Sequence, residues 1–261
     1  MNVLDSFSLT GRVVLVTGGA GLYGRQIVEA CAEAGAETWI ASRNLDALET
    51  FAEELCERGY TVNPARLDQG DEASIEALRD TIRERSGRLD VLVNNAVARP
   101  MKGFDDDVAA FAESMRINAT GLFAVTRVMG DFIAETSSHG SIVNIGSIMG
   151  MIGPDPTNYE GTSMSGWYPD YFFHKGGMIN FTRFLASYYG EKGMRCNCVS
   201  PGGLFQPIMP DAFVENYSRR TFLGRLANDT DLKGAVVFLA SDASCYITGA
   251  NIPVDGGYTS K

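Results

Sequence analysis

The sequence predicts an α/β fold of the doubly wound kind, a parallel sheet with helices on both faces. Short apolar, β-branched runs alternate with amphipathic segments along the whole chain. A glycine turn joins the first apolar run to the first helical segment. The 261 residues are enough for one domain with a large buried core, so we expect residues 1–261 to form a single domain.

The first strand, turn and helix set the pattern for the rest of the chain. Residues 12–17 are apolar and extended in character, residues 18–24 are rich in glycine, and the apolar residues that follow recur at helical spacing. Gly35 ends this helix, and a second strand is predicted at 37–42. A right-handed crossover makes the two strands parallel.

The same alternation continues to the end of the chain. Further strands are predicted at 60–67, 89–94, 141–145, 194–200 and 251–254. Further helices are predicted at 46–58, 72–84, 108–135, 171–189 and 231–239. A long irregular segment at 148–170 separates the fifth strand from the helix that follows.

Composition and charge exclude several classes of protein. With 22 Lys and Arg against 32 Asp and Glu, the net charge of −10 would repel a phosphate backbone, which excludes nucleic acid as a partner. No segment reaches the roughly 18 apolar residues of a membrane span, and residues 1–9 lack the apolar core of a signal peptide. We therefore expect a cytoplasmic protein without membrane contact. Its five scattered cysteines and two histidines lack metal-ligand spacing, so we expect reduced thiols and no metal.

Residues that directly follow the strands are the candidates for ligand binding, because ligands of such sheets lie beyond the carboxyl ends of the strands. In the glycine turn, Gly18, Gly21 and Gly24 allow the backbone to approach a pyrophosphate closely. Leu22 and Tyr23 begin the helix, whose free amides and positive dipole end attract an anion. A tight turn without a ligand remains the alternative.

Ser42 and Arg43 end the second strand, where NAD-binding sites usually have an acidic residue. A hydroxyl and a guanidinium suit the 2′-phosphate of NADP better than the ribose hydroxyl of NAD. The alternative is a solvated arginine at a surface turn. We therefore expect NADP(H) to be favoured over NAD(H).

Tyr171 and Lys175 are four residues apart at the start of a predicted helix, so their side chains share one face. A nearby cation favours the phenolate, which makes Tyr171 a usable acid and base. Tyr188 and Lys192 have the same spacing. This second pair lies at the far end of the helix, near the amino end of the next strand, where a surface pair is expected.

Together these features resemble the short-chain dehydrogenase/reductase family, in its compact, Rossmann-type branch. The resemblance rests on motifs that occur in the family's order: the glycine turn, Asn94-Asn95-Ala96, Asn118, Ser147, and Tyr171 with Lys175. It implies an NAD(P)-dependent hydride transfer that interconverts a secondary alcohol and a ketone.

The resemblance also implies a role for each motif. Ser147 would bond the substrate oxygen, Tyr171 would exchange a proton with it, Lys175 would favour the phenolate and bind the nicotinamide ribose, and Asn118 would hold a relay water. The remaining cofactor contacts implied are Asp68 near the adenine, Asn94 and Ala96 along the cofactor, and Pro201 and Gly202 beside the nicotinamide.

Residues 148–170 are longer than the family's usual connection at this place, so we interpret them as an insertion at the active site. Their aromatic and hydrogen-bonding side chains suit a carbohydrate-like or polyol substrate, with Tyr159 and Trp167 joining Ser147 and Tyr171 in the substrate site. The run 158–164 is similar to family members linked to surface-sugar or flagellin modification. An oligomer contact or a passive loop is the alternative.

Two other functions stay open. A 3-oxoacyl carrier-protein reductase would share the catalytic residues, although no Lys/Arg cluster suited to an acidic carrier protein is evident. A catalytically silent, cofactor-sensing binding protein would have no need of Ser147, Tyr171 and Lys175. Family members usually form dimers or tetramers through their long helices, so we expect a homodimer or homotetramer that acts on a small molecule.

Overall fold

Seven parallel strands form the sheet in the computed structural model, which describes residues 2–261. The strands are β1 (Val13–Thr17), β2 (Glu37–Ser42), β3 (Val62–Arg66), β4 (Val91–Asn94), β5 (Ser141–Ile145), β6 (Arg195–Pro201) and β7 (Asn251–Val254). Their order across the sheet is β3-β2-β1-β4-β5-β6-β7. The predicted doubly wound fold is therefore confirmed.

In the described part of the chain, eight α-helices connect and cover the strands. They are α1 (Leu22–Glu33), α2 (Leu45–Glu57), α3 (Glu72–Ser86), α4 (Val108–Met115), α5 (Leu122–Thr136), α6 (Pro169–Gly190), α7 (Asp211–Arg220) and α8 (Lys233–Ala240). A π-helical turn, Arg116–Gly121, joins α4 to α5. Within residues 2–261, no helix combines the length and the apolar character needed to cross a membrane.

The strand β1 shows why the strands are apolar on both faces. Val14 and Val16 belong to the core under α1, α2 and α8, whereas Val13 and Leu15 belong to the core under α3, α5 and α6. A parallel strand covered on both faces is apolar without alternation. This continuous pattern is what made the strands predictable, and each predicted strand lies within two residues of its observed bounds at either end.

The position of β1 in the sheet also determines where a ligand can bind. The chain winds outwards from β1 through β2 to β3, and then returns to place β4 on the other side of β1. The strand order therefore reverses between β1 and β4. A crevice opens outside the carboxyl ends of these two strands, which is where ligands bind in sheets of this kind.

The insertion at 148–170 is folded, with two 3₁₀ turns, Ile148–Gly150 and Pro156–Tyr159. It shares a third core cluster with α7 and the C-terminal residues, formed by Ile148, Phe213, Tyr217, Leu226 and Tyr258. Helix α7 was absent from the sequence prediction, because its ten residues bury only Phe213 and Tyr217, too few for a recognisable helical pattern.

Polar contacts also connect the insertion to the rest of the chain. Arg220 of α7 forms an ion pair with Asp155 at 2.6 Å. The side chain of Asn158, which is fully buried, donates to the hydroxyl of Tyr258 at 2.5 Å. The insertion is therefore fixed to α7 and to the C-terminal residues of its own chain.

Candidate active site

The glycine turn between β1 and α1 has a shape that requires glycine. Gly18 has a φ of 69°, and a Cβ there would lie 2.9 Å from the Cα of Ala96. A Cβ on Gly24 would collide with the carbonyl oxygen of Gly18. Gly21 precedes α1 without a side-chain cap. The amides of residues 22–24, which lack partners within the helix, are therefore available to bind an anion at the crevice.

Two residues outside the predicted set, Thr17 and Asn95, fasten this turn to the loop after β4. The Asn95 side chain donates to the carbonyl oxygens of Thr17 at 3.1 Å and Gly18 at 3.0 Å. The Thr17 hydroxyl accepts from the amides of Asn95 and Ala96, both at 3.1 Å. Both residues stand where β1 and β4 end at the crevice, and this position is the signal in the sequence that could have identified them.

A cleft of about 260 Å³ extends from the glycine turn across the ends of β2 and β3. The predicted cofactor residues that line it are Gly18, Ser42, Arg43, Asp68 and Ala96. These side chains and the glycine backbone fit the adenosine half of a dinucleotide, with its diphosphate against the amides of α1. These predicted residues lie at or just after the ends of four strands, β1 to β4, which the sheet brings together.

Asn94 uses its side chain inside the protein. Its amide group donates to Thr126 Oγ1 at 3.0 Å and to Asn144 Oδ1 at 2.9 Å. Asn144 in turn donates to Thr182 Oγ1 at 2.9 Å. Both amide protons of Asn94 are thus bound between the sheet and its helices, so a contact with the predicted cofactor would have to come from the Asn94 backbone or its carbonyl oxygen.

Tyr23 joins the two halves of the crevice. Its hydroxyl donates to the carbonyl of Gly202 at 2.9 Å, and burial raises the pKa of this phenol. The amide of Gly202 donates to Val254 at 3.0 Å. Pro201 and Gly202, predicted beside the nicotinamide, are therefore held in place from both sides, and the Tyr23 hydroxyl is a structural group.

Lys175 is buried next to Tyr171, which is half-buried at the crevice. The lysine ammonium donates to the carbonyl of Ile145, the last residue of β5, at 2.5 Å and lies 5.8 Å from the centroid of the Tyr171 ring. Burial lowers the pKa of Lys175, and Tyr171 opposes this effect. One of the three ammonium protons is used by Ile145, which leaves two for other acceptors.

Ser147 begins the first 3₁₀ turn of the insertion. Its hydroxyl accepts from the amide of Met149 at 3.1 Å, so its own proton is free to donate. Gly150 ends the turn, and a Cβ there would lie 2.6 Å from the carbonyl carbon and oxygen of Lys175. This close approach fixes the turn that carries Ser147 against the helix that carries Tyr171 and Lys175.

Asn118 lies in the π-helical turn and is buried. Its side chain accepts from the amide of Ala98 at 2.8 Å, and donates to the carbonyl of Ala98 at 2.8 Å and to Ser114 Oγ at 3.0 Å. Ser114 donates to Asp170, the residue before Tyr171, at 2.6 Å. The Asn118 side chain therefore connects the loop after β4 to the start of α6. The predicted relay water would have to bind the Asn118 backbone or the second lone pair of the side-chain oxygen.

His174 supports the Tyr171 ring. It is 4% exposed, and neither of its ring nitrogens has a hydrogen-bond partner within residues 2–261. Burial lowers the pKa of His174 to about 3, with a further contribution from the charges of Lys175 and Arg99. The imidazole is therefore neutral at pH 7, and it packs edge-on against Tyr171 with 5.2 Å between ring centroids.

The two predicted substrate residues of the insertion have different surroundings. Tyr159 is half-buried with its ring centroid 5.5 Å from that of Phe213, and burial raises its pKa. Trp167 is 53% exposed. Arg99, which the sequence did not identify, places its guanidinium carbon 4.2 Å from the centroid of the Tyr171 ring. The signal in the sequence that could have identified Arg99 is its position shortly after β4.

The competing pair, Tyr188 and Lys192, lies on the surface at the other end of α6. Tyr188 is 55% exposed. The Lys192 ammonium lies 4.9 Å from the centroid of the Tyr188 ring and 3.6 Å from a carboxylate oxygen of Asp131. This pair is therefore remote from the crevice, as its position in the sequence indicated.

Comparison with known proteins gives consistent matches over nearly the whole chain. A family model described as enoyl-(acyl carrier protein) reductase matches residues 21–259. The chain is 34% identical over 253 residues to cis-4-hydroxycyclohexanecarboxylate dehydrogenase of Sinomonas cyclohexanicum, covering 95% of this chain and 96% of that protein. It is 31% identical over 271 residues to D-threitol dehydrogenase of Mycolicibacterium smegmatis, covering 100% and 98%.

A solved structure has the same fold throughout. It is a gluconate 5-dehydrogenase from Burkholderia cenocepacia in complex with NADP and tartrate. The two chains are 29% identical, the alignment covers 100% of each, and the TM-score is 0.88. The crevice described above thus lies within a fold that binds NADP in a similar protein.

The substitution Gly150→Ala tests the packing that positions Ser147. The added methyl group must push the turn away from Lys175, so we expect the free energy of unfolding to fall by about 1–3 kcal/mol and kcat to fall by about 10- to 100-fold. Urea unfolding and steady-state kinetics measure the two effects. Gly153→Ala is the control, because no atom lies within 4 Å of a Cβ there. Equal losses in both variants would contradict the assignment.

Proposed function

The chain belongs to the short-chain dehydrogenase/reductase family, and on this basis we propose that it uses NADP(H) to interconvert a secondary alcohol and a ketone of a small, polar hydroxy compound. Membership of the family makes it an NAD(P)-dependent oxidoreductase. One observation carries the proposed chemistry: Tyr171 stands at the crevice with the buried ammonium of Lys175 beside it.

The residues around Tyr171 supply the proton chemistry of this reaction. NADP(H), when bound, accepts or supplies the hydride. In oxidation, the Tyr171 phenolate takes the proton of the substrate hydroxyl, and in reduction the phenol returns it. The ammonium of Lys175 would stabilise the negative charge that develops on the Tyr171 oxygen as the proton moves, because opposite charges attract most strongly where water is excluded. Ser147 donates its free proton to the substrate oxygen.

The preference for NADP(H) is supported by the end of β2. Ser42 and Arg43 line the cleft, and Arg43 is exposed at its edge. A guanidinium can bind the 2′-phosphate with two parallel hydrogen bonds. Asp68, just after β3, also lines the cleft. Its carboxylate already accepts a hydrogen bond from the amide of Gly70 at 3.0 Å, so it is partly engaged within the protein.

The proposed substrate class rests on the insertion and on the named relatives. Tyr159 and Trp167 offer aromatic surface, and the insertion is fixed to α7 within the chain. The similar proteins are named for threitol, gluconate and a hydroxycyclohexanecarboxylate, which are all small hydroxy compounds. A 3-oxoacyl carrier-protein reductase is the second candidate. Arg220, a cation on α7 that could meet an acidic carrier protein, is already paired with Asp155.

Self-association through α5 and α6 is part of the proposal. Phe181, Phe184 and Tyr188 form a ladder of parallel rings along α6, with centroids 5.9 Å and 6.1 Å apart. Phe123 of α5 adjoins it at 6.4 Å. Phe184 and Tyr188 are each more than half exposed, and such a contiguous apolar patch favours burial against a second copy.

Replacing the catalytic tyrosine tests the reaction. Tyr171→Phe removes the acid and base but leaves the cleft intact, so we expect kcat/KM to fall by about 10²- to 10⁴-fold while the NADPH dissociation constant stays within twofold of wild type. Tyr188→Phe, at the competing pair, should retain full activity. Turnover by Tyr171→Phe at the wild-type rate would refute the role of Tyr171. Failure of the wild type to bind NADPH or NADH, or to turn over any alcohol or ketone, would instead favour the silent binding protein.

Replacing Arg43 tests the cofactor preference. Loss of a charge-assisted pair to the 2′-phosphate should cost about 1.5–3 kcal/mol, which is roughly a 10- to 100-fold rise in the NADPH dissociation constant for Arg43→Ala. The dissociation constant for NADH should change less than twofold. Fluorescence titration measures both. Arg25→Ala removes an exposed arginine that pairs with Glu54 outside the cleft, and serves as the control. Equal weakening of both cofactors would overturn the assignment.

Replacing Phe184 tests the assembly. A charge in the aromatic ladder is costly to bury, so Phe184→Asp should shift the chain from a dimer or tetramer towards the monomer when its mass is measured by light scattering. Phe104→Asp, at a 74% exposed phenylalanine outside α5 and α6, should leave the assembly unchanged. A monomeric wild-type protein would contradict the proposal.

A further inference from the structure

Arg99 is an exposed cation placed directly on the catalytic tyrosine. Its guanidinium carbon lies 4.2 Å from the centroid of the Tyr171 ring. None of the ion pairs within residues 2–261 includes Arg99. The chain has 32 acidic residues and 22 basic ones, yet in the part that the structure describes none of these carboxylates pairs with Arg99. The guanidinium beside the reacting Tyr171 is therefore available to a carboxylate from outside the protein.

The surroundings of Arg99 place it on the insertion side of Tyr171. Its charge works against the rise in the pKa of Tyr159 and contributes to the lowered pKa of His174. Arg99 therefore lies within electrostatic reach of both residues. It is not among the residues that line the cofactor cleft. Arg99 thus lies against Tyr171, outside the cofactor cleft and within electrostatic reach of Tyr159 in the insertion.

Four charged or titratable groups of α6 and the insertion already have partners or are buried. The Lys175 ammonium is buried against Ile145. Asp155 is paired with Arg220, and Asp170 is buried and accepts from Ser114. His174 is neutral at pH 7 because its pKa is lowered to about 3. Arg99, by contrast, is exposed beside Tyr171 and is in none of the ion pairs of the described residues, so its guanidinium is available to a substrate.

We propose that Arg99 binds a carboxylate of the substrate, and that the preferred substrates are small hydroxy acids. This inference rests on the proposed function and narrows its substrate class. Because the guanidinium carbon lies 4.2 Å from the centroid of the Tyr171 ring, a small substrate whose hydroxyl meets Tyr171 would have its other polar groups within reach of Arg99. A guanidinium holds a carboxylate through two parallel hydrogen bonds, and its stacking on Tyr171 orients it before the substrate arrives. A neutral polyol cannot form this pair.

The test compares Arg99→Gln with Arg85→Gln. Arg85 is the matched control, because it is also exposed and also stacks on an aromatic ring, that of Trp39, at 4.8 Å, but lies at the C-terminal end of α3, away from the crevice. The probes are tartrate, whose binding to the NADPH-loaded enzyme is measured by calorimetry, and a panel of hydroxy acids and neutral polyols that includes gluconate and threitol.

We expect Arg99→Gln to raise the tartrate dissociation constant at least tenfold, and to lower the ratio of kcat/KM for hydroxy acids over that for polyols at least tenfold. Arg85→Gln should match the wild type in both measurements. Equal tartrate affinity in wild type and Arg99→Gln, or no binding of any hydroxy acid by the wild type, overturns the inference.

A second measurement needs no variant. Because the proposed contact is a charge pair at an exposed site, raising the salt concentration should weaken tartrate binding by the wild type and leave KM for a neutral polyol nearly constant. Tartrate binding that is insensitive to salt overturns the inference. A wild-type enzyme that turns over polyols but binds no hydroxy acid leaves the proposed function standing, whereas one that binds neither NADPH nor NADH ends the proposed function itself.

Discussion

The hydrogen bond from the buried ammonium of Lys175 to the carbonyl of Ile145 is the contact on which the site depends. A buried cation is unfavourable unless polar groups surround it, so the end of β5 and the first turns of α6 have to meet closely. That meeting places Tyr171 beside the ammonium. It also brings the turn after Ser147 against the backbone of α6, which only Gly150 permits. The need to surround the Lys175 ammonium with polar groups thereby determines the relative positions of the three proposed catalytic groups, Ser147, Tyr171 and Lys175.

The cofactor side of the crevice is built by a different means, close contact between backbones. Gly18 and Gly24 remove the side chains that would separate β1, α1 and the loop after β4. Glycine costs conformational entropy on folding, and the hydrogen bonds of Thr17 and Asn95 help to offset it by fastening the two loops together. The amides of α1 are therefore held in position before a phosphate arrives, which reduces the cost of binding.

The parts of this structure that could be predicted from the sequence are those set by local rules. Strands buried on both faces, the glycine turn and the pair at 171 and 175 each follow from short-range spacing. What could not be predicted depends on contacts between distant segments. Asn94 was expected along the cofactor, but Thr126 and Asn144 take its amide protons. Arg99 reaches Tyr171 only because the loop after β4 folds back towards α6. No short-range pattern in the sequence predicts this course of the loop.

The two cations beside Tyr171 differ in burial, and this difference separates the proposed proton chemistry from the proposed choice of substrate. Lys175 is buried and bonded to the main chain, so any substrate that reaches Tyr171 would meet the same proposed acid and base. Arg99 is exposed and is held by stacking on the tyrosine ring rather than by a carboxylate. Loop residues at such a mouth can change without disturbing the sheet. On the proposed roles, selectivity would change through Arg99 and the insertion, while the proton chemistry of Tyr171 and Lys175 would stay constant.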